Sequence, residues 1–381
     1  MKSINKIWLI LIALVASSLA ASCGIVGGTT TVKIGLLSPQ TGPIAVYAPG
    51  FEDAANVAIS ELNEGQDDYV FELIVVDSGC DGTQAATSAQ SLIDSGVAGI
   101  VGAACSGATL GAIAVAAPAG VPMVSYASTS PAVTSAADDG YLFRVVPSDA
   151  QQSVALVDVV KAGSSNPAVL YMTNDYGAGL GENFKAAWGG LCAEVGYDPT
   201  EGSYDASTLA QAVVDGGCDS VVLMSYATDG AAIMEELLAQ GFSGVLYGAD
   251  GVADAAFAES FTDVEALDGL IATKPRPGED STAKSDFESA YATAGGNAEG
   301  IYTNETFDAV NLVAEAAMAD SNDDLRDDLV SLGSSYDGAS GVHTFDSNGD
   351  VSGTGYEVCN FSGTSFSCPK IWTSTAGVTG K

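Results

Sequence analysis

Seven cysteines and one histidine are the groups in this sequence best suited to covalent or acid–base chemistry, and their spacing argues for cross-links rather than catalysis. With Cys23 set aside, Cys80, Cys105, Cys192, Cys218, Cys359 and Cys368 form an even set that can pair completely in an oxidising compartment. The run from Cys359 to Cys368 is symmetric about a possible two-residue turn at Gly363 and Thr364. In that register the two cysteines oppose each other at a non-hydrogen-bonded position, about 4.5 Å apart at Cα and within disulfide reach. The remaining pairings depend on tertiary structure. His343 is the sole histidine and is read as structural; no cluster has metal-ligand spacing, and Gly177, Gly179 and Gly181 lack the spacing of a phosphate loop. No enzyme, metal or cofactor is expected.

Ser106 offers a different chemistry. It follows a strand ending at Gly102 and precedes the helical run Ala108 to Ala117. As an N-cap it would bring helix N–H groups and the positive end of the helix dipole to a carboxylate; it can equally cap its helix and do nothing more. Ala127, Ser128 and Thr129 follow the next strand and share that rim, although Ser128-Thr129-Ser130-Pro131 also reads as a plain polar turn. Asp250, one of 48 acidic residues, is on its own a solvated loop aspartate.

The elements that must hold these groups alternate. Strands are expected at Val32–Leu37, Val70–Val76, Gly99–Gly102 and Met123–Tyr126, with helical spacing between them at Phe51, Ala55, Ala58 and Leu62 and at Ala85, Ala89, Leu92 and Ile93. After residue 148 the pattern restarts: strands at Ala168–Met172 and Ser220–Tyr226, helices near Gly181–Val195, Ser207–Asp215 and Gly230–Leu238. Two doubly wound parallel α/β units follow, and 381 residues suffice for both cores. Three segments are candidates for the passages between units: 143–149, 272–278 and 341–350. Ahead of all this, Lys2 and Lys6 precede an apolar run, Ile7 to Val15, and small residues through Ser22, which reads as a signal peptide over 1–22. Leu19-Ala20-Ala21-Ser22-Cys23 looks like a lipoprotein processing box that would lipidate Cys23, with 23–31 as a tether; plain signal cleavage near Ala20 or Ala21 is the alternative. Without Lys2 and Lys6, 10 basic residues face 48 acidic ones, a net charge of −38. Such a surface excludes nucleic acid as a partner and reads as a solubility adaptation to a salty habitat.

The motifs, taken in order, resemble the leucine/isoleucine/valine-binding family of ABC-transporter solute receptors. The resemblance is carried by Ile34–Pro43, Val76–Asp81, Val101–Thr109, Val121–Pro131, Phe143–Asp149, Asn174–Gly177, Gly248–Gly251 and Phe345–Asp350, and so spans nearly the whole mature chain. It implies a type I periplasmic binding protein: two lobes joined by three crossovers and closing on ligand like a flytrap. The lobes would be 32–146 with 277–343, and 147–276 with 344–374, leaving 375–381 as a tail. It also implies a Cys80 to Cys105 disulfide.

By the same resemblance Ser106 binds the carboxylate of an amino acid, the Ala127 carbonyl its ammonium, and the Thr129 hydroxyl and N–H its α-groups, with Ser128 also among the ligand-binding residues. Asp250 would answer the ammonium from the other lobe, at a position where family members often carry glutamate. Tyr47, Tyr176, Tyr226 and Tyr302 would wall the cleft. The expected protein is exported, periplasmic or on the outer face of the cell membrane, lipid-anchored and monomeric. Its partners would be an amino-acid ligand and an ABC permease. The alternatives are an amide, urea or aromatic-acid ligand, or a sensory receptor.

Overall fold

The structure, a computed structural model, describes residues 29–200, 202–297, 300–319, 324–363 and 365–381. The signal segment, Cys23 and most of the tether lie outside the described residues, as does Thr364 of the expected turn.

The first sheet is built from β1 (Thr30–Ser38), β2 (Tyr69–Asp77), β3 (Gly99–Val101), β4 (Met123–Ser125) and β5 (Leu142–Arg144), all parallel in the order β2-β1-β3-β4-β5. Its crossovers carry α1 (Ala48–Gly65), α2 (Gly82–Asp94), α3 (Ser106–Ala116) and the single turn α4 (Pro131–Thr134). Central strands lie between helix layers, so β3 and β4 are buried throughout and carry no polar side chain except Ser125, as two-sided burial demands. In α1 the buried set Phe51, Ala54, Ala55 and Ala58 follows the helical period that the sequence displays.

The second sheet takes α5 (Asp149–Lys161), β6 (Pro167–Met172), α6 (Asp175–Trp188), β7 (Ala193–Tyr197), α7 (Ala206–Gly216), β8 (Ser220–Met224), α8 (Ala227–Ala239), β9 (Val245–Gly248) and β10 (Ile271–Pro275). The chain then returns to the first unit as α9 (Thr282–Thr293), α10 (Thr303–Met318) and α11 (Leu325–Leu332). There α10 packs on α1 and on β3, where Gly99 lets Val313 approach: a Cβ on Gly99 would stand 2.8 Å from Val313 Cγ1. After a small ribbon, β11 (Tyr336–Asp337) with β12 (Val342–His343), the chain closes the second sheet with β13 (Tyr356–Ser362), β14 (Ser365–Thr373) and β15 (Gly377–Gly380), giving the order β15-β14-β13-β10-β9-β8-β6-β7. The last three strands run antiparallel to their neighbours.

Two doubly wound units joined by three passages of chain are therefore present, and the passages touch one another. Arg144 N–H donates to Gly349 O (2.9 Å), Gly278 N–H to Ser340 O (2.8 Å) and Arg276 N–H to Gly355 O (3.0 Å). Arg144 is fully buried. Its guanidinium grips Asp350 through Nε (2.7 Å) and Nη2 (2.9 Å), and donates to the carbonyls of Ser128 (3.2 Å) and Ser130 (2.9 Å). A buried cation is tolerable only with such complete pairing. Near by, Asp308 of α10 accepts from Ala339 N–H (2.7 Å) and Ser340 N–H (2.8 Å), and His343 Nε2 lies 3.1 Å from the same carboxylate, which gives the lone histidine a structural partner.

Several expectations need correction. The helix expected near Gly181–Val195 begins and ends earlier, at Asp175 and Trp188; Gly189 (φ 103°) breaks it, and Ala193–Tyr197 is the edge strand β7 with alternating exposure. Residues 375–381 are no mere tail, because 377–380 pair with β14. Thr30 and Thr31, assigned to the tether, already pair with β2. Disulfides join Cys80 to Cys105 and Cys359 to Cys368, with Cα separations of 5.3 and 3.9 Å, and a third joins Cys192 to Cys218 at 5.6 Å. The hairpin register is the symmetric one from the turn to the pair Asn360 and Ser367, with Phe361 facing Phe366, and it is then interrupted at Cys359 by a bulge between Val358 and Asn360, beyond which Val358 faces Lys370.

Candidate functional site

The carboxyl ends of β1, β3 and β4 face those of β6, β8 and β9 across a groove, the place where open α/β sheets present ligand-binding loops. At the end of β3, the disulfide to Cys80 holds Cys105 in extended conformation (φ −84°, ψ 135°), and Cys105 rather than Ser106 is the N-cap of α3. Ser106 is the first helical residue; its Oγ accepts the Ser130 N–H at 3.2 Å. The cap expectation for Ser106 is thus corrected, while the first turn of α3, with its N–H groups lacking intrahelical partners, still opens on the groove.

Across the groove β9 ends at Gly248, Ala249 is extended, and Asp250 begins a 3-10 turn. Asp250 is 3% exposed. Tyr176 OH donates to its Oδ1 at 2.8 Å and Tyr302 OH to its Oδ2 at 2.7 Å. Tyr302 comes from the first unit, at the head of α10, in a left-handed conformation (φ 59°) that favours glycine. The bond from Tyr302 therefore spans the groove, as does Tyr47 OH to Gly251 O at 3.3 Å. Tyr176 also accepts the Gly251 N–H at 3.0 Å and stacks on Tyr226, ring centroids 5.0 Å apart and 10° from parallel. Gly251 has no room for a side chain: a Cβ would stand 2.5 Å from Ser225 O.

Tyr47, Ser106, Ala127, Tyr176, Tyr226, Asp250 and Tyr302 thus line one cavity, together with Ile44, Phe51, Ala104, Gly251 and Ile301, which sequence reasoning did not single out. The enclosed volume is about 30 Å³, room for a water or two with the groove shut. Ser128 and Thr129 do not reach it. The Ser128 hydroxyl is committed to Ala103 O (3.0 Å), Ala104 O (3.2 Å) and Thr109 Oγ1 (2.7 Å), bracing the loop from behind. The Thr129 hydroxyl donates to Asp149 Oδ2 at 2.9 Å, and Asp149 N–H returns to Thr129 O at 2.8 Å.

Asp149 is the acid that sequence reasoning missed. It is fully buried, and its Oδ1 has no hydrogen-bond partner among the described residues. Burial raises its carboxyl well above the usual range, and the neighbouring Asp250 raises it further. Burial also raises Asp250, against which the Tyr302 and Tyr176 hydroxyls work. Two desolvated carboxylates beside each other make a site short of positive charge. The tyrosine hydroxyls around them are held neutral, pushed up by burial and then by Asp250. Such an arrangement offers N–H donors to an anion on one wall and uncompensated negative charge to a cation on the other, with aromatic faces between.

Residues 31–356 match the family described as periplasmic binding protein. A leucine-, isoleucine-, valine-, threonine- and alanine-binding protein of Pseudomonas aeruginosa is 26% identical over 75% of this chain and 77% of its own length. Among solved structures, the branched-chain amino acid transporter substrate-binding protein LivJ of Streptococcus pneumoniae, in complex with isoleucine, matches 88% of this chain and 98% of that one at 24% identity and a TM-score of 0.79. A solute-binding protein of an ABC transporter from R. palustris, in complex with 4-hydroxybenzoate, matches 87% and 93% at 16% identity and a TM-score of 0.76. At those identities the structural matches speak for the fold. Among the described residues no helix is long and apolar enough to cross a membrane. With the family model covering both units and the groove between them, the chain belongs to the periplasmic binding proteins.

Proposed function

We propose that this protein is the extracytoplasmic receptor of an ABC importer and that it binds an α-amino acid, of the branched-chain type, in the inter-unit groove. The lobes that move would be 32–146 with 277–343 and 147–276 with 344–374, opening about the three passages of chain. The observation that carries the reading is Asp250, a buried carboxylate facing the N-terminal turn of α3. A zwitterion matches both ends of that arrangement: its carboxylate meets the helix N–H groups beside Ser106, and its ammonium meets Asp250 and the Ala127 carbonyl. The Tyr302–Asp250 bond occupies the ammonium's place in the shut groove, so entry requires the units to part and ligand then replaces that bond as the bridge between them.

An aromatic acid, the ligand of the R. palustris neighbour, fits the stacked Tyr176 and Tyr226 but brings no cation to Asp250. The protein would act without catalysis, as an exported monomer anchored through lipid on Cys23, and deliver its ligand to a membrane permease. Isothermal titration of the purified protein with leucine, isoleucine, valine and 4-hydroxybenzoate tests the ligand class. Saturable binding of the amino acids is expected; binding of 4-hydroxybenzoate alone would overturn the zwitterion reading.

A further inference from the structure

Besides the bridges that Tyr302 and Tyr47 throw across the groove, a further contact joins the two units through a carboxylate outside the cavity. Asp254 belongs to the second unit and heads the 3-10 helix Ala255–Ser260, which buries Phe257 completely. Its Oδ1 accepts the Ala256 N–H at 2.6 Å, a local cap. Its Oδ2 accepts the N–H of Ile301, which belongs to the first unit and lies 47 residues further along the chain. Asp254 is 4% exposed and is not among the residues that line the cavity, whereas Ile301 and Tyr302 both line it.

A helix cap can do its work in water with both oxygens turned to its own helix. Asp205 is such a cap: it is exposed, and its two oxygens accept from Ser207 and Thr208 at the start of α7. In Asp254 one oxygen serves its own helix and the other serves the opposite unit. Burial raises its carboxyl, and the N–H groups of Ile301 and Ala256 oppose the rise, so part of what keeps the group ionised is a donor supplied from across the groove. The residue after Ile301 is Tyr302, at φ 59°, a conformation that a tyrosine keeps where its surroundings over-determine it. The clasp on the preceding amide and the Tyr302–Asp250 bond are two such restraints.

The two bridges respond differently to ligand. An ammonium at Asp250 takes the place of the Tyr302 bond, but a ligand confined to the cavity does not meet Asp254, and the Ile301 bond can form again once the units close. We propose that Asp254 is a positioning residue for closure: by clasping the Ile301 amide across the groove it holds Ile301 and Tyr302 against the cavity and sets how long a bound ligand stays. That role rests on the receptor reading, in which the units part to admit ligand, and holds for whichever ligand enters.

Asp254→Ser separates the work of the two oxygens, because serine still caps Ala256 but is too short to reach Ile301. Protein loaded with radiolabelled leucine and chased with unlabelled leucine reads the residence time. Release from the variant is expected to be about tenfold faster, the scale of one hydrogen bond to a charged group. A cap with no part in closure would change the melting temperature and not the release, so release within twofold of wild type would overturn the proposal. If leucine does not bind at all, the amino-acid reading falls by itself, and small-angle X-ray scattering of the ligand-free proteins decides for Asp254: a larger radius of gyration in the variant is expected, and equal radii overturn the clasp. Should the variant not fold, hydrogen exchange in the wild type decides. The Ile301 amide is expected to exchange at least about a hundredfold more slowly than an unprotected amide, and exchange at the free rate would overturn the clasp.

Discussion

Replacing Asp250 by asparagine separates the charge of the inner site from its shape. The amide has nearly the same volume, and its oxygen still accepts from one of the two tyrosine hydroxyls that now reach Asp250 at 2.8 and 2.7 Å. What is lost is the negative charge facing an ammonium in a site 3% exposed to solvent. Removing one partner of a buried, hydrogen-bonded charge pair costs about 2–5 kcal/mol. Because the amide keeps an acceptor and the tyrosine hydroxyls already draw off part of the field, the lower half of that range applies. At 1.4 kcal/mol per decade this is a loss of about 30- to 300-fold in affinity. Isothermal titration with leucine at neutral pH measures it. The ligand-free variant should melt at the wild-type temperature or above, since folding no longer strips water from a carboxylate that burial already disfavours. A folded Asp250→Asn protein that binds leucine within threefold of wild type would refute the ammonium assignment and the reasoning behind it.

Leucine affinity should fall as the pH is lowered, by up to about tenfold per unit once below the carboxyl of ligand-free Asp250. Burial raises that group above the ordinary carboxylate range, the ammonium needs the ionised form, and the effect is therefore full above the raised pKa and lost beneath it; titrations across a pH series in Asp250→Asn should be flat by comparison. Arg144→Met would take the guanidinium away from two loop carbonyls and from Asp350, to which the Thr134 hydroxyl still donates at 2.7 Å, at a cost of about 3–5 kcal/mol in unfolding free energy, read by denaturant melts. A wild-type melting curve would show that the buried pair holds nothing. Gly251→Ala drives a methyl to 2.5 Å from Ser225 O and 3.0 Å from Tyr176 OH, so we expect about 1–3 kcal/mol less stability together with weaker leucine binding, both measured on the same preparation.

How far the sequence reveals this molecule depends on the range of the interactions involved. The alternation of strands and helices is local, and β1, β2, β6, β8 and α1 lie close to where hydrophobic spacing puts them. The β7 segment misleads because an edge strand buries little and Ala193 to Tyr197 lack a continuous apolar run; only the two glycines at 189 and 190 mark the break. Motif order brings Tyr47, Tyr176, Tyr226, Asp250 and Tyr302 together correctly. It does not say which way a hydroxyl turns. Ser128 and Thr129 sit on the expected rim, yet their side chains point to Ala103, Ala104 and Asp149, because unpaired backbone carbonyls and a buried carboxylate behind the loop compete for them. Asp149 was invisible for a related reason: in Pro147-Ser148-Asp149 it looks like the first turn of a capped helix, which it is, and its burial against Thr129 and Asp250 exists only once both units are in place. The Cys192 to Cys218 bond, too, needed β7 to be recognised as a strand beside β6 before its ends could be seen to meet.

The return of α10 to the first unit shapes how this chain acquires its structure. Val313 rests on Gly99, 214 positions upstream (313 minus 99), so the first sheet cannot complete its core until nearly the entire polypeptide is available. A chain emerging amino end first would hold Leu36, Ile100 and Val124, all fully buried at the finish, in partial contact with water while the second unit is still being delivered. Long sequence separation slows assembly and prolongs the interval in which apolar strands can stick to one another. If the chain is exported unfolded, as the receptor proposed above would be, that delay is useful: the same connectivity that ties the halves together also keeps the leading half unfinished, and therefore threadable, until the trailing half has followed it through.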